Sequence, residues 1–315
     1  MSAEGAAAGL YASLSIDLDG LELYHRIHGL SDPPPGEDPV YGAALQRFGE
    51  LCQRLGLRGT AFCVGASLGR PGATAGVAAL AAAGHEIANH SLSHDYALAR
   101  RSLAEIGAEV RGGAEAIARA TGRAPLGFRA PGYTLSPRLV ETLSAEGYRY
   151  DSSAFPALPY YLGKAAVMAL LAARGRPSGA ILDRPRVLLA PRRPYRPRAG
   201  EPYAPGAGPL LELPITTGLL GFPLIGTFVA TLPRATRLFS LGTRRLPLMN
   251  LELHGMDLLD ATDCPGPLAD LRRDLRIPAV VKVGRIEAFV RAIRGRAWIT
   301  LADAAERLAP TTCGN

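Results

Sequence analysis

Short extended runs and helical runs alternate along most of this chain, and that alternation limits the fold more than any other feature. From Tyr11 to Asp19, apolar Ala12, Leu14, Ile16 and Leu18 share one face while Ser13, Ser15, Asp17 and Asp19 share the other, which is the period of a strand delivering two carboxylates. Tyr41, Ala44, Leu45, Phe48, Leu51, Cys52 and Leu55 then recur at helical spacing, with Gly56 as the stop signal. TAFCVG reads as a strand, GVAALAAAG as a helix and HEIAN as a strand, and Ser102 with Glu105 forms a capping box for a helix ending near Gly122. GFRAP is the next short strand, Ser136 and Pro137 cap another helix, and YRYDSS resumes extended structure. Such a chain folds with parallel strands joined by crossover helices, in a barrel or an open sheet.

The alternation fails from about Phe155 to Leu248, where proline, arginine and apolar runs take over around a strand-like LLELPI. Between Tyr160 and Leu210, nine Lys and Arg residues face two acids, a surplus equal to the net charge of +7 of all 315 residues. Leu213 to Pro233 carries no charge, but Pro214, Pro223 and several glycines argue against a spanning helix. A core strand plus an apolar lid is expected there, with an interfacial membrane surface as the alternative. Regular structure returns with NLELHG, a helix carrying Ile286, Phe289, Val290 and Ile293, the strand AWITL and a last helix from Thr300.

Cys52, Cys63, Cys264 and Cys313 show neither disulfide-framework nor thiolate-zinc spacing. The first twenty residues lack a basic region followed by an apolar one, so a cytoplasmic location is expected. The basic stretch suits anionic headgroups, phosphorylated substrates or a solvated face; no interleaved aromatic platform supports nucleic-acid binding, and none is expected.

Asp17 and Asp19 end the first strand, His90 and His94 follow a later one, Arg129 ends another and His254 closes a fourth. In a parallel α/β architecture the carboxyl ends of strands gather on one side, so these groups can converge. Two histidines four apart also occur for packing alone, Arg129 can be a surface charge, and His254 can be structural.

DLDG, NHSLSH, FRAPGY and LELH occur in the order of the motifs of NodB-type polysaccharide deacetylases, carbohydrate esterase family 4, which the chain resembles from about Leu14 to Leu308. The resemblance implies a distorted (β/α)7-8 barrel with an apolar and basic insert, forming one domain over residues 10–309 with 156–248 as insert or lid. It implies one divalent metal ion, with zinc expected, on Asp19, His90 and His94. It gives Asp17 the role of general base, or else of a further ligand or strand-end cap. Arg129 would hold Asp17 anionic, His254 would be the general acid, Gly132 would offer a backbone N–H to the oxyanion, and Tyr133 would line the pocket. The fourth motif has no clean match, Glu212 being the best candidate, and Gly132 stands where many members carry tyrosine.

The expected activity is hydrolysis of an N-acyl group, chiefly N-acetyl, from an amino sugar of a bacterial envelope glycan or its polyprenyl-phosphate-linked precursor, with room for a peripheral contact at the inner membrane. The competitors are a linear-amide hydrolase of imidase or ureide type and a catalytically silent carbohydrate- or membrane-binding module.

Overall fold

The computed structural model describes residues 9–33, 36–173, 175 and 180–309. Arg174, Arg176 and Cys313, counted above, lie outside them. Its strands are Tyr11–Leu18 (β1), Thr60–Cys63 (β2), Glu86–Asn89 (β3), Gly127–Phe128 (β4), Tyr150–Asp151 (β5), Pro197–Arg198 (β6), Glu201–Pro205 (β7), Leu211–Glu212 (β8), Leu248–His254 (β9) and Ala297–Trp298 (β10). Its α-helices are Leu21–Ile27 (α1), Leu45–Leu55 (α2), Ala73–Ala82 (α3), Leu103–Thr121 (α4), Pro137–Ala145 (α5), Leu158–Ala173 (α6), Gly226–Thr231 (α7), Pro233–Phe239 (α8), Pro267–Leu271 (α9), Ala279–Ala292 (α10) and Leu301–Leu308 (α11).

β1 organises the sheet. Tyr11 to Asp17 pair in parallel with Leu248 to His254 of β9, while Ser15 to Leu18 pair with Thr60 to Cys63 of β2. β3, β4, β5 and β8 follow in parallel, and β10 adds beside the start of β1. Beyond β8 the chain reaches back to β9 through Thr216 N–H donating to the Asn250 carbonyl at 3.1 Å. Seven of these eight parallel strands, β10 aside, therefore curl into a distorted barrel wrapped by helices. β1 is buried on both faces, because the polar face of Ser13, Ser15 and Asp17 points into the barrel instead of toward solvent.

The helix signals read from the sequence act where expected. Ser102 and Glu105 form the capping box of α4, Gly122 follows it at φ 73°, Ser136 caps α5 by accepting from Leu139 N–H, and Gly56 ends α2 at φ 64°. Leu14, Ile16, Phe48, Leu51, Leu251, Leu253 and Ile286 pack between the β1 and β9 side of the barrel and α2, α3 and α10. Burial of each such side chain contributes about 1.5–3 kcal/mol. At the opposite end, Leu301 N–H donates to Thr60 Oγ1 and Ala302 N–H to Glu86 Oε2, both at 2.9 Å. Thr60 and Glu86 begin β2 and β3, so α11 closes the amino-terminal mouth and leaves the carboxyl-terminal mouth for chemistry.

The irregular region is more ordered than the sequence pattern implies. It holds α6, an antiparallel β6–β7 hairpin, β8, α7 and α8. β8 pairs with β5, so the segment leaves the barrel, rejoins it and leaves again. Leu213, Ile215, Leu224 and Ile225 are core residues, as a buried strand requires, whereas Leu219 and Leu220 project outward. α6 escaped the periodicity reading because apolar residues surround it on all sides.

α4 approaches the loop after β3 closely at Gly113, where a Cβ would lie 2.3 Å from Asn89 Oδ1 and 2.9 Å from the Ser91 carbonyl carbon. Gly113→Ala is expected to lower stability in chemical denaturation by roughly 1–3 kcal/mol. Gly49→Ala, whose Cβ would meet only Leu80 Cδ1 at 3.5 Å, should be neutral or stabilising by up to about 1 kcal/mol.

Candidate active site

The NHSLSH segment is not a helical turn. Ser91 and His94 take left-handed φ values of 67° and 55°, each a conformation costing about 1–2 kcal/mol outside glycine. The loop is pinned there by Leu92 N–H to the Glu109 carbonyl, Ser93 N–H and Oγ to the Glu109 carboxylate, and His94 N–H to Ser91 Oγ. The two imidazoles meet edge to face with centroids 4.8 Å apart. Their Nε2 atoms lie 3.2 Å (His90) and 3.1 Å (His94) from one oxygen of Asp19, Oδ1.

That arrangement fits a cation. Asp19 Oδ1 and His94 Nε2 are buried without a hydrogen-bond partner among the described residues, a costly state unless another group satisfies them. His90 Nδ1 donates to the Arg129 carbonyl at 2.7 Å, which leaves the lone pair on Nε2, the usual orientation of a ligating imidazole. Against the rise that burial alone would cause, His94 and His90 hold the Asp19 carboxyl well below the usual range. Two nitrogens and one carboxylate oxygen supply the donor set of an open divalent site.

Asp17 stands beside this cluster, its Oδ2 buried, unpartnered and 3.8 Å from His90 Nε2. Arg129 Nη1 donates to Asp17 Oδ1 at 2.5 Å. The guanidinium, wholly buried, also donates to the Ser152 carbonyl, Ser152 Oγ and Ser15 Oγ, and lies 4.0 Å over the Phe62 ring. Burial nevertheless outweighs Arg129, and the Asp17 carboxyl sits above its ordinary pKa. Arg129 therefore fixes the position of Asp17 without making it a strong acid.

His254 completes the mouth at the end of β9. Its Nδ1 lies 2.9 Å from Glu252 Oε1 and its Nε2 lies 3.0 Å from Tyr133 Oη, which itself donates to Glu252 Oε1 at 3.0 Å. Burial by itself would lower the His254 pKa, but the Glu252 carboxylate overrides it and pushes the imidazole up to about 10. Asp17, Glu252 and His254 are also close enough to share a cation. Asp17 Oδ1, Glu252 Oε1 and both ring nitrogens of His254 are already engaged with Arg129, Tyr133 or one another, and Arg129 would repel a metal there.

These groups open onto a cavity of about 490 Å³. Asp17, Asp19, His90, His94, Gly132, Tyr133 and His254 line it, so all the candidate residues named from the sequence come together there except Glu212 and Arg129, the latter lying beneath Asp17. Gly132 and Tyr133 follow Pro131 with φ values of 64° and 63°, a turn closed by Tyr133 N–H to the Ala130 carbonyl. The remaining wall carries Ile225, Phe228 and Met168, with Lys164 and Arg272 as its cations. Burial lowers the Lys164 pKa to about 8. Glu212 is elsewhere: it accepts from Ala154 N–H and shares a buried site with Asp151, which in turn accepts from Ser153. The carboxylate partner of His254 is Glu252, two residues earlier on the same strand face.

Residues 38–150, roughly a third of the chain, match the family described as polysaccharide deacetylase. The whole fold is similar to a Mycobacterium smegmatis structure assigned to the polysaccharide deacetylases, at 17% identity and a TM-score of 0.61, covering 98% of this chain and 92% of the other. It is equally similar to the Puue allantoinase, at 16% identity and 0.61, covering 100% and 94%. A Pseudomonas aeruginosa PAO1 structure assigned to the polysaccharide deacetylases gives 17% identity and 0.59, covering 98% and 93%. No curated protein matches the chain. The solved structures share the fold, and the matched segment is similar to the polysaccharide deacetylases. The resemblance carried by the motifs is thereby borne out over residues 38–150, and the fold of the whole chain is similar to that of the polysaccharide deacetylase structures.

Elemental analysis after incubation with zinc should find about one ion per wild-type chain and almost none in a His90→Ala, His94→Ala double variant. Asp19→Ala should lower affinity by about tenfold or more, while Asp17→Asn should retain the ion.

Proposed function

We propose that the protein is a metal-dependent hydrolase that removes an N-acyl group, chiefly N-acetyl, from an amino sugar of a bacterial envelope glycan or its lipid-linked precursor. One observation carries this reading: a cation-fitting Asp19, His90 and His94 cluster shares one cavity with a carboxylate held by Arg129 and an imidazole held by Glu252. Zinc suits two imidazoles and a carboxylate, and when bound it would acidify water and polarise the acyl oxygen.

In this reading Asp17 accepts the proton of the attacking water through its free Oδ2, with Oδ1 anchored on Arg129. A carboxyl raised above its ordinary pKa is a better base near neutrality than a fully solvated one. The Gly132 peptide stands where charge develops on the acyl oxygen, in a turn too tight for a side chain: a Cβ on Gly132 would come within 2.9 Å of Tyr96 Cδ1. His254 delivers a proton to the departing amine, kept charged by Glu252 and steadied by Tyr133. The apolar wall of Met168, Ile225 and Phe228 favours an amphiphilic sugar over a small free one. Buried, unpaired Cys52, Cys63 and Cys264 agree with a reducing, cytoplasmic setting.

A second reading, hydrolysis of an amide of imidase or ureide type, is favoured by the likeness to the Puue allantoinase. Product analysis separates the two: release of acetate or formate from an N-acylated amino sugar, with a new free amine, supports the first, and ring-opened ureide from a hydantoin-type substrate supports the second.

The same chemistry predicts the pH profile. A proton on His254 is retained at neutral pH and lost as pH rises through its folded pKa of about 10. Glu252→Gln removes the group that raises this pKa, so the alkaline limb of kcat/KM should move down in pH by a unit or more. Asp17→Asn should lower kcat by roughly 10²–10⁴ with the metal still bound.

A further inference from the structure

α6 runs along the mouth of the cavity as a helix of 16 residues with one charged side chain, Lys164. Lys164 turns inward, its Nζ 3.4 Å from the Gly132 carbonyl. The outward face carries Leu158, Leu162, Ala166, Ala169 and Leu170, all exposed. A solvent-facing helix normally shows charges on that side, so this face is built to be covered. The helix is too short to cross a bilayer, and among the described residues no helix is long and apolar enough to do so.

The apolar surface continues onto neighbouring turns. The 3-10 turn Leu219–Gly221 packs on the start of α6, where a Cβ on Gly221 would lie 3.5 Å from Leu158 N, and Leu219 packs against Gly242 of the next turn. Leu220 is 87% exposed and takes a left-handed φ of 55°, so the backbone accepts strain while an apolar side chain points outward. Phe222 stacks on Phe239 at 4.3 Å and locks these turns together, with Leu238 and Leu241 exposed beside them.

The segments that carry this surface hold cations and no acid; Asp183, the acid that follows α6 in sequence, has its carboxylate engaged by Tyr203 Oη and the Arg184 N–H. Residues 213–251 contain Arg234, Arg237, Arg244 and Arg245 and no acid, and 158–182 contain no acid either. All four arginines are exposed, and none makes an ion pair or side-chain hydrogen bond among the described residues. Apolar side chains flanked by unpaired cations match the interior and the headgroups of an anionic bilayer, respectively.

We infer that the outward face of α6 and the Leu219–Gly221 and Ser240–Thr243 turns dock on an anionic lipid surface. The inner face of the same helix lines the cavity, so docking would bring the candidate metal cluster alongside the bilayer and admit a substrate anchored there. This deepens the lipid-linked form of the proposed function, but the surface can be tested without any catalytic assay.

The test is co-sedimentation of the full chain with phosphatidylcholine vesicles, with and without phosphatidylglycerol. Wild type is expected to pellet with the anionic vesicles and to be released by salt. Leu162→Glu with Leu220→Glu, and separately Arg244→Glu with Arg245→Glu, should each weaken binding about tenfold or more. Thermal melting and zinc content of each variant check folding, and the arginine pair decides if the leucine pair fails to fold. Wild type remaining in the supernatant, or undiminished binding by folded variants, would overturn the inference. A wild-type dimer in light scattering that the leucine pair disperses would also overturn it, by assigning the face to a second copy. Either failure leaves the hydrolase reading standing, because metal binding and acyl release are measured separately.

Discussion

A guanidinium buried at the carboxyl-terminal end of the barrel needs acceptors for its N–H groups, and Arg129 sets that demand. Asp17 from β1, Ser15 from the same strand and both the hydroxyl and carbonyl of Ser152 after β5 answer it. The Arg129 carbonyl orients His90 in turn. Removing one partner of such a pair strands a charge in the interior at a cost of about 3–5 kcal/mol. One side chain thus ties β1, β4, β5 and the loop after β3 into one mutual arrangement, and the candidate metal cluster and the position of Asp17 stand or fall together.

Around this anchor the mouth separates charges by function. Asp19 is held low by two imidazoles, Asp17 is raised by burial, and His254 is raised by Glu252. Three titratable groups at one mouth thereby acquire different protonation tendencies, the pattern expected when acid and base share a site. Strain is concentrated in the same place, at Ser91, His94 and Tyr133. Glu109 of α4 and the close approach at Gly113 hold the histidine loop in its strained form.

Much of the barrel was legible in the sequence because its signals are local. The alternation of β1, the Ser102 capping box and the glycine stops each depend on a few neighbouring residues, and each acts as expected. The i and i+4 spacing of His90 and His94 was informative although the backbone between them is not helical. Glu252 lay within the LELH motif and on the same strand face as His254, where period-two reading could have paired them; Glu212 drew attention instead. Glu109 reads in sequence as an ordinary exposed helix acid, and only the tertiary structure gives it the histidine loop. α6 was hidden for a different reason, since a helix apolar toward both the cavity and the outside has no periodicity to detect.

The central claim is that Asp19, His90 and His94 hold one divalent ion at the barrel mouth. X-ray absorption spectroscopy of the zinc-loaded chain reads the ligand set directly. The account predicts two imidazole nitrogens with further oxygen ligands at about 2.0–2.2 Å. A shell containing sulfur, a shell without imidazole, or one unchanged by loss of both His90 and His94 would contradict it.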